Sequence, residues 1–484
     1  MIVATNDIGT VPPASTSGGS ECCASTFDAA GLWISKHTYI ATKLPHYEEI
    51  HMPDLREMGP AGLNLLTATE LSGKLDQKQT TSVAIVEDCL ARIAAREPDI
   101  RGWAYLDPDA ALHQARACDA QPRRSRLHGI PIGIKDIFDT FDMPTTYGST
   151  IYKNFQPTMD TALVGLMRRA GMVILGKCRT TEFASPVPVG VRNPHDFARS
   201  PGVSSSGSAA AVADYMVPLA LGSQTGGSTI LPAAFCGVVG YKASLTGLDR
   251  GGVRHLRPTL DTMGLFARSI TDIAILRSVL SGVEPAPPIR DIRGARIGVC
   301  RTMNWTQAQP ESVHALESGA RSLAAAGAKV NEVEMPAVFA DINQSFNVIS
   351  GVEALRALAL EARDHFSTLN YWIKNSLTTA NRVDQTQFDK AHLHVVQCQR
   401  AMAEVFKGCD AIITPSTSGE AIADIDSVSN SVFNRIWTLL HVPCVTIPAF
   451  EGPHGMPVGL QVVGPIGDDD RILALSQGIA HALT

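Results

Sequence analysis

The chain has 484 residues, of which 45% are hydrophobic and 18% charged, and its formal net charge is −6. This composition is typical of a globular protein with a large buried core. The length alone would also be compatible with about three domains. The mildly acidic balance, without any block of five or more like charges, argues against a nucleic-acid partner.

Cysteine usage and hydropathy indicate the compartment in which the protein is expected. The ten cysteines are scattered without a C-x-x-C pair, and several lie in apolar runs, which indicates buried thiols in a reducing compartment rather than a disulfide framework. No stretch of 18 apolar residues occurs, and residues 1–20 lack the basic and apolar regions of a signal peptide. We therefore expect a cytoplasmic protein that has no membrane partner.

The first 60 residues are expected to form an N-terminal extension. Residues 1–30 are rich in Thr, Ser, Gly and Pro, and because such sequence buries little area we expect it to be largely mobile. Residues 31–60 contain histidines and aromatic side chains, which could bind a metal but more commonly pack on the body of a protein. We predict no metal site there.

Regular structure becomes readable at Thr67. Residues 67–70 match a capping box, and Thr81 or Ser82 precedes apolar residues at helical spacing, so two helices are predicted at the start of the body. The apolar run at 130–134 indicates a buried strand that ends in Lys135. We expect this lysine side chain to face inward, and we interpret the following aspartate as structural.

A helix at 161–170 and a strand at 172–175 are predicted next. The string GMVILGKC at 171–178 imitates a phosphate-binding P-loop. We reject that interpretation because its interior is a β-branched strand and because Cys178 stands where a Ser or Thr would hold magnesium.

The stretch 200–243 is poor in charge and rich in Gly, Ala and Ser. An Ala-rich segment at about 208–215 predicts a helix, and the apolar run 217–221 predicts a strand. A helix of about nine residues rises roughly 14 Å, and a strand of about five returns roughly 16 Å. If the two run antiparallel, Ser204 and Ser228 come close together in space.

After residue 243 the chain passes through loops to a Pro-rich segment at 283–288, which is typical of a boundary. Alternating strands and helices then predict an α/β subdomain at about 289–406, built on the main layer. Further strands are predicted at 411–415, 444–448 and 456–461.

Three strings carry a resemblance to a known family. Residues 200–243 match most of P-G-G-S-S-S-G-S-A-A-A-V-A followed by L-G-(acid)-T-G-G-S-(I)-R-x-P-A-A-F-C-G-V-V-G, residues 175–183 match L-G-K-x-x-x-x-E-F, and residues 456–461 match L-P-V-G-L-Q. This pattern resembles the amidase signature family and covers roughly residues 61–484 as one domain. The resemblance implies an α/β fold in which helices cover a large, mixed, twisted central sheet.

The resemblance also implies a chemistry. It is that of an amidohydrolase that cleaves a carboxamide, or a related carbamate or urea, through a serine acyl-enzyme, with a small-molecule substrate and no metal or organic cofactor. By position in the motifs, Ser228 matches the nucleophile, Ser204 matches a bridging serine that follows a cis peptide bond, and Lys135 matches the base. The backbone N–H groups of Thr225, Gly226, Gly227 and Ser228 match the oxyanion hole.

Elementary chemistry is consistent with these roles. Serine is a weak nucleophile until a base takes its proton. A lysine buried among apolar strands loses the solvation of its charged form, so its pKa falls and a neutral amine becomes available near pH 7. Because Gly226 and Gly227 lack a Cβ, they let the backbone before Ser228 turn its N–H groups inward.

The sequence departs from the family pattern at three positions. Val203 replaces a glycine, which puts the shape of the serine loop in question, since a β-branched residue avoids positive φ. Gln224 replaces an acid and Ile230 replaces an arginine. Because these two changes remove opposite charges together, we interpret them as the loss of one ion pair.

Alternatives stay open at this point. One is a glutamine-hydrolysing amidotransferase subunit that serves partner chains, and another is a non-catalytic binding protein of the same fold. The sequence has no G-x-S-x-G elbow and no S-x-x-K motif, but its 14 histidines leave room for a Ser-His-Asp triad. A homodimer is also an open expectation.

Overall fold

An eleven-stranded mixed sheet organises the chain. The structure is a computed structural model and describes residues 62–428 and 430–483, so the expected extension at 1–60 lies outside the described residues. The strands are β1 (Trp103–Leu106), β2 (Pro131–Lys135), β3 (Val173–Cys178), β4 (Leu219–Gln224), β5 (Val239–Lys242), β6 (Thr262–Ala267), β7 (Arg296–Val299), β8 (Lys329–Glu332), β9 (Ala411–Pro415), β10 (Cys444–Glu451) and β11 (Pro457–Val463).

Helices account for most of the remaining regular structure in the described residues. They are α1 (Ala68–Asp76), α2 (Ser82–Ile100), α3 (Pro108–Asp119), α4 (Ala162–Ala170), α5 (Ser206–Ala213), α6 (Ile230–Phe235), α7 (Ile270–Ser281), α8 (Pro310–Ala325), α9 (Ile342–Ala357), α10 (Ala359–Asp364), α11 (Tyr371–Ala380), α12 (Gln385–Gly408), α13 (Val432–Leu439) and α14 (Asp469–Leu483). The predicted capping box is present at α1, and the Thr81 side chain caps α2.

The strand order is β1-β3-β2-β4-β6-β5-β10-β11-β9-β7-β8. Strands β3, β2 and β4 run parallel to one another, β9, β7 and β8 do the same at the far side, and the strands between β4 and β9 pair antiparallel. The expected α/β class with a mixed sheet is confirmed.

The sheet brings the predicted site residues to one edge. Because β2 and β4 are parallel neighbours, with Ile134 opposite Leu221, the lysine that ends β2 and the loop that follows β4 emerge at the same edge. Helix α5 is fastened to β4 by two serines, since Ser205 Oγ donates to the carbonyl of Ser223 and Ser208 Oγ donates to that of Leu221.

The predicted boundaries in this stretch need a small correction. The strand expected at 217–221 begins at Leu219, because Pro218 has no N–H to offer a ladder and its ring restricts the residue before it. The helix expected at 208–215 runs instead over Ser206–Ala213. The antiparallel helix and strand order is otherwise as predicted.

The core forms two main clusters. The larger packs on both halves of the sheet, while the second joins α9, α12 and α13 to neighbouring strand residues such as Ile412 and Val463. The eight cysteines of the described residues are buried free thiols, as the sequence predicted. Within the same residues no helix is both long and apolar enough to cross a membrane.

Candidate active site

Lys135 ends β2 and is fully buried. Its Nζ lies 2.8 Å from Ser204 Oγ and 2.9 Å from Ser223 Oγ, both within hydrogen-bonding distance. No carboxylate of the described residues forms an ion pair with it. The expectation that this side chain faces inward is confirmed, and the amine is held between two hydroxyl groups.

Burial controls the protonation of this lysine. Removal from water lowers the pKa of Lys135 from 10.5 to about 7, and the negative charge of Asp261 acts weakly in the opposite direction. A substantial fraction of the amine is therefore neutral near pH 7. A neutral amine can accept a proton from one serine hydroxyl while it donates to the other.

Ser204 follows a cis peptide bond, Val203–Ser204, and is fully buried. The carbonyl of Ser204 accepts a hydrogen bond from Thr180 Oγ1 at 3.2 Å. The positive φ of this loop falls on Gly202, at +79°, where an added Cβ would lie 2.6 Å from Leu231 and 2.7 Å from Pro232. Since Val203 is not at positive φ, the valine substitution is compatible with the shape of the loop.

Ser228 lies on the loop between β4 and α6 and is half-buried. Its hydroxyl makes no hydrogen bond with any described residue, and the N–H groups of Gly226, Gly227 and Ser228 likewise donate none. Together with Thr225 these residues line one cleft, which also includes Val203. Residues with a free hydroxyl and unused N–H donors therefore line the same space.

The glycines of this loop are required because the loop lies close to Ser431 and Asn434. An added Cβ at Gly227 would lie 2.7 Å from Ser431 Cβ and 3.2 Å from Asn434 Cβ, and one at Gly226 would lie 3.0 Å from Ser431 Oγ. Neither glycine has a positive φ. The pair lets the loop lie against α13, which is a different reason from the turn that the sequence suggested.

Two acceptors hold the ends of this loop. The Thr225 hydroxyl donates to Asp261, which also accepts from the N–H groups of Leu256 and Arg257 at 2.9 and 3.0 Å. Buried Gln224 accepts with one Oε1 from the N–H groups at positions 229 and 230, at 3.1 Å each. The side chain amide of Gln224 also donates to Thr438 Oγ1 at 3.2 Å.

Ile230 is fully buried, and its side chain belongs to the second core cluster. Gln224 and Ile230 are thus neighbours, but the contact is made by the amide oxygen of Gln224 and the backbone N–H of Ile230. The interpretation that they replace an ion pair stays a prediction.

Asp136 has a structural environment. It accepts hydrogen bonds from the backbone N–H and hydroxyl of Thr146 and pairs with Lys177 at 3.4 Å. Lys177 in turn donates to the carbonyl of Phe138 and to Thr145 Oγ1. This second buried lysine is saturated by protein partners, in contrast to Lys135.

The wall opposite the serine loop comes from distant parts of the chain. Phe346 and Ser350 of α9, Trp372 of α11 and Arg435 of α13 line the cleft. The cavity at Ser228 is only about 70 Å³ but shares these four residues with an adjoining hollow of about 380 Å³. The space beside Ser228 is therefore narrow and continues into a larger hollow.

Sequence reasoning missed several of these residues. Ser223 contacts Lys135, and its only signal was a polar residue near the end of an apolar strand. Arg257, Trp372 and Arg435 carry no local motif at all, since they reach the cleft only through tertiary packing.

Comparisons with known proteins identify the family of the chain. The family model described as Amidase matches residues 84–473. A glutamyl-tRNA(Gln) amidotransferase subunit of Acidothermus cellulolyticus is 31% identical over 480 residues, which cover 86% of this chain and 94% of the relative.

Solved structures give the same result. A crystal structure of an amidase matches with a TM-score of 0.79 and 28% identity, covering 86% of this chain and 99% of that one. Native peptide amidase from Stenotrophomonas maltophilia matches with a TM-score of 0.75 and 26% identity, covering 86% and 96%. Fold and matches define an α/β protein of the amidase class. The chain belongs to the amidase signature family.

Proposed function

We propose that this protein hydrolyses the C–N bond of an amide, or of a related carbamate or urea, through an acyl-enzyme on Ser228. The observation that carries the proposal is the fully buried Lys135, without a carboxylate ion pair and 2.8 Å from Ser204 Oγ. Burying an unpaired ammonium is costly, whereas a neutral amine is a base. Lys242 is also buried without a carboxylate ion pair in the described residues, but it donates to two backbone carbonyls, whereas Lys135 contacts two serine hydroxyl groups that can exchange protons with it.

The proposed reaction begins with a proton relay. Lys135 takes the Ser204 proton while Ser204 takes that of Ser228, and Ser228 Oγ bonds to the substrate carbonyl carbon. The N–H groups of residues 225–228 stabilise the oxyanion. The C–N bond then breaks as Ser204 delivers the proton to the leaving nitrogen and regains a proton from Lys135. Water then attacks the ester through the same relay, which releases the acid and restores Ser228.

A fluorophosphonate probe tests the nucleophile. Wild-type protein should be labelled on Ser228, and Ser228→Ala should lose both labelling and amide turnover by roughly 10⁴-fold or more. Ser206→Ala is a matched control, because the buried Ser206 hydroxyl has no hydrogen-bond partner in the described residues, and it should be labelled normally. An adduct mapped to another residue would refute the assignment, and a chain that takes no label would be the non-catalytic binding protein.

A second candidate is a subunit that releases ammonia from glutamine for partner chains. It is favoured by the relatives that are named as subunits of glutamyl-tRNA(Gln) amidotransferase. Amine release by the purified chain from a panel of aliphatic amides, aryl acylamides, carbamates and ureas supports the independent hydrolase. Activity that appears only with glutamine and added partner subunits supports the second candidate.

A further inference from the structure

Two arginines line the cleft at Ser228, and neither guanidinium group has a carboxylate of the described residues in hydrogen-bond contact. Arg257 is 5% exposed, and its only side chain hydrogen bond within the described residues runs from Nε to Ser350 Oγ at 2.6 Å. Arg435 likewise donates once, from Nε to Ser431 Oγ at 3.2 Å, and its guanidinium lies 5.4 Å from the Phe346 ring centroid. The terminal nitrogens of both groups therefore remain available.

Three other arginines with little exposure have more acceptors. Arg96 pairs with Asp214 at 3.0 Å, and Arg277 pairs with Asp470. Arg268 has no carboxylate but donates to four backbone carbonyls. Buried guanidinium groups are costly unless they are paired in this way. The arginines at the cleft thus have fewer acceptors than these three.

No acidic side chain lines the cleft or its adjoining hollow in the described residues. The acids that act on Arg257 from nearby already have other donors: Asp261 accepts from the Thr225 hydroxyl and from the backbone N–H of Arg257, and Glu353 accepts from Thr259. Burial is the sole cause that lowers the pKa of Arg435, since no acid acts on it. Within the part of the chain that the structure describes, the cleft and the larger hollow therefore offer two cationic groups and no carboxylate, and the nearby Asp261 lines only a small hollow on the other side of Arg257 and Thr225.

We propose that the substrate is an amide that carries a carboxylate, that Arg435 together with Arg257 binds this carboxylate, and that no ammonium group lies beside it. This inference rests on the proposed function. Guanidinium groups bind carboxylates through parallel N–H donors, so such a substrate would supply the missing partner. Hydrolysis of a dicarboxylic acid monoamide by this route consumes one water and yields a dicarboxylate and ammonium.

A matched substrate series tests the inference. Glutaramate, pentanamide and glutamine differ only in the carboxylate and the ammonium, and malonamate, succinamate and adipamate vary the distance from amide to carboxylate. N-acetyl-β-alanine and N-propylacetamide place the same contrast in the leaving group. We expect kcat/KM for at least one anionic amide to exceed that of its neutral counterpart by about 30-fold or more, and we expect glutaramate to be preferred over glutamine.

Variants of Arg435 test whether this residue causes the preference for anionic amides. Arg435→Gln should remove most of the anionic preference, Arg435→Lys should keep part of it, and the control Arg356→Gln should keep all of it. Arg356 is an exposed arginine that also lies on a phenylalanine, Phe388, but does not line the cleft. The rate at which fluorophosphonate labels Ser228 gives a readout that does not depend on turnover. Glutarate should slow this labelling more than pentanamide does.

Several results would overturn the inference. It is wrong if neutral and anionic amides are hydrolysed equally by the wild type, if the preference survives in Arg435→Gln, or if glutamine is preferred over glutaramate. When Ser228 is labelled and neutral amides are hydrolysed, these results leave the proposed function standing. When neither labelling nor hydrolysis occurs, the proposed function itself fails and the inference falls with it.

Discussion

At the scale of single residues, the two buried lysines near the site show how partners decide a role. Lys177 donates to carbonyl and hydroxyl oxygens and pairs with Asp136, so protein groups compensate its charge. Lys135 meets only the hydroxyl groups of Ser204 and Ser223. Hydroxyl groups compensate an ammonium poorly but can exchange protons with an amine, which suits Lys135 to be a base.

The pH dependence of turnover follows from this environment. Because the base must be neutral and burial lowers the pKa of Lys135 to about 7, kcat/KM for a neutral amide should be low at pH 5 and rise through pH 7 to a plateau. Lys135→Arg should be inactive across this range, since arginine does not surrender a proton. A flat pH profile would contradict a neutral base with this lowered pKa, and an arginine variant with near-normal turnover would show that Lys135 acts only as a positive charge.

The same lowered pKa makes a prediction about stability. Between pH 7 and about 10 the unfolded chain, in which the lysine keeps a pKa near 10.5, binds more protons at this position than the folded protein does. Stability contributed by Lys135 therefore rises with pH across this interval. In urea unfolding, the free energy of unfolding of the wild type should rise relative to that of Lys135→Met from pH 7 to pH 10. A constant difference in the free energy of unfolding would contradict the pKa assignment.

At the scale of elements, Gln224 connects the end of β4 to the start of α6 across the loop that carries Ser228. Its amide oxygen accepts from two N–H groups at the start of this short helix, and its amide nitrogen donates to Thr438 of α13. A single buried side chain thus fixes both the length of the loop and its distance from the neighbouring helix. The Gln224→Ala variant leaves those N–H groups without an acceptor and should cost about 1–3 kcal/mol.

The ion-pair interpretation of Gln224 and Ile230 can be tested at this scale. Gln224→Asp alone places an uncompensated charge in a buried site, and Ile230→Arg alone places one within an apolar cluster. Each should destabilise by about 3 kcal/mol or more, whereas the double variant should recover part of the loss. A double-mutant cycle on urea unfolding measures the coupling, with Ile230→Met as the size control. Additivity within about 0.5 kcal/mol would mean that the pair does not exist.

At the scale of the whole molecule, local pattern predicted the elements but not the cleft. The capping box at Thr67, the strand that ends in Lys135 and the helix and strand around residues 204–224 all carry short-range signals, and each is present. Arg435 could not be predicted because its position depends on α13 packing against a loop some 200 residues earlier in the chain. The close approach that requires Gly227 arises from the same tertiary contact.

The far end of the sheet shows why the region at 289–406 is joined to the rest of the molecule. Strand β7 pairs with β8 inside this region, but its other neighbour is β9, which lies beyond residue 406. The second core cluster likewise combines Phe346 and Phe388 from this region with Ile436 and Trp437 of α13. The expected subdomain boundary at 283–288 therefore separates sequence patterns within one continuous sheet.

This continuity predicts that a fragment spanning residues 289–406 does not fold alone. Without β9 the fragment exposes an unpaired edge of β7, and without α13 it exposes the apolar side of α9 and α12. Its amide proton NMR spectrum should lack dispersion, and urea should produce no cooperative transition. A longer fragment, 289–484, supplies β9 to β11 and α13 and should gain protected amides in β7. A dispersed spectrum and a cooperative transition for 289–406 would show instead that this region carries its own core, and that the shared sheet edge is dispensable for its folding.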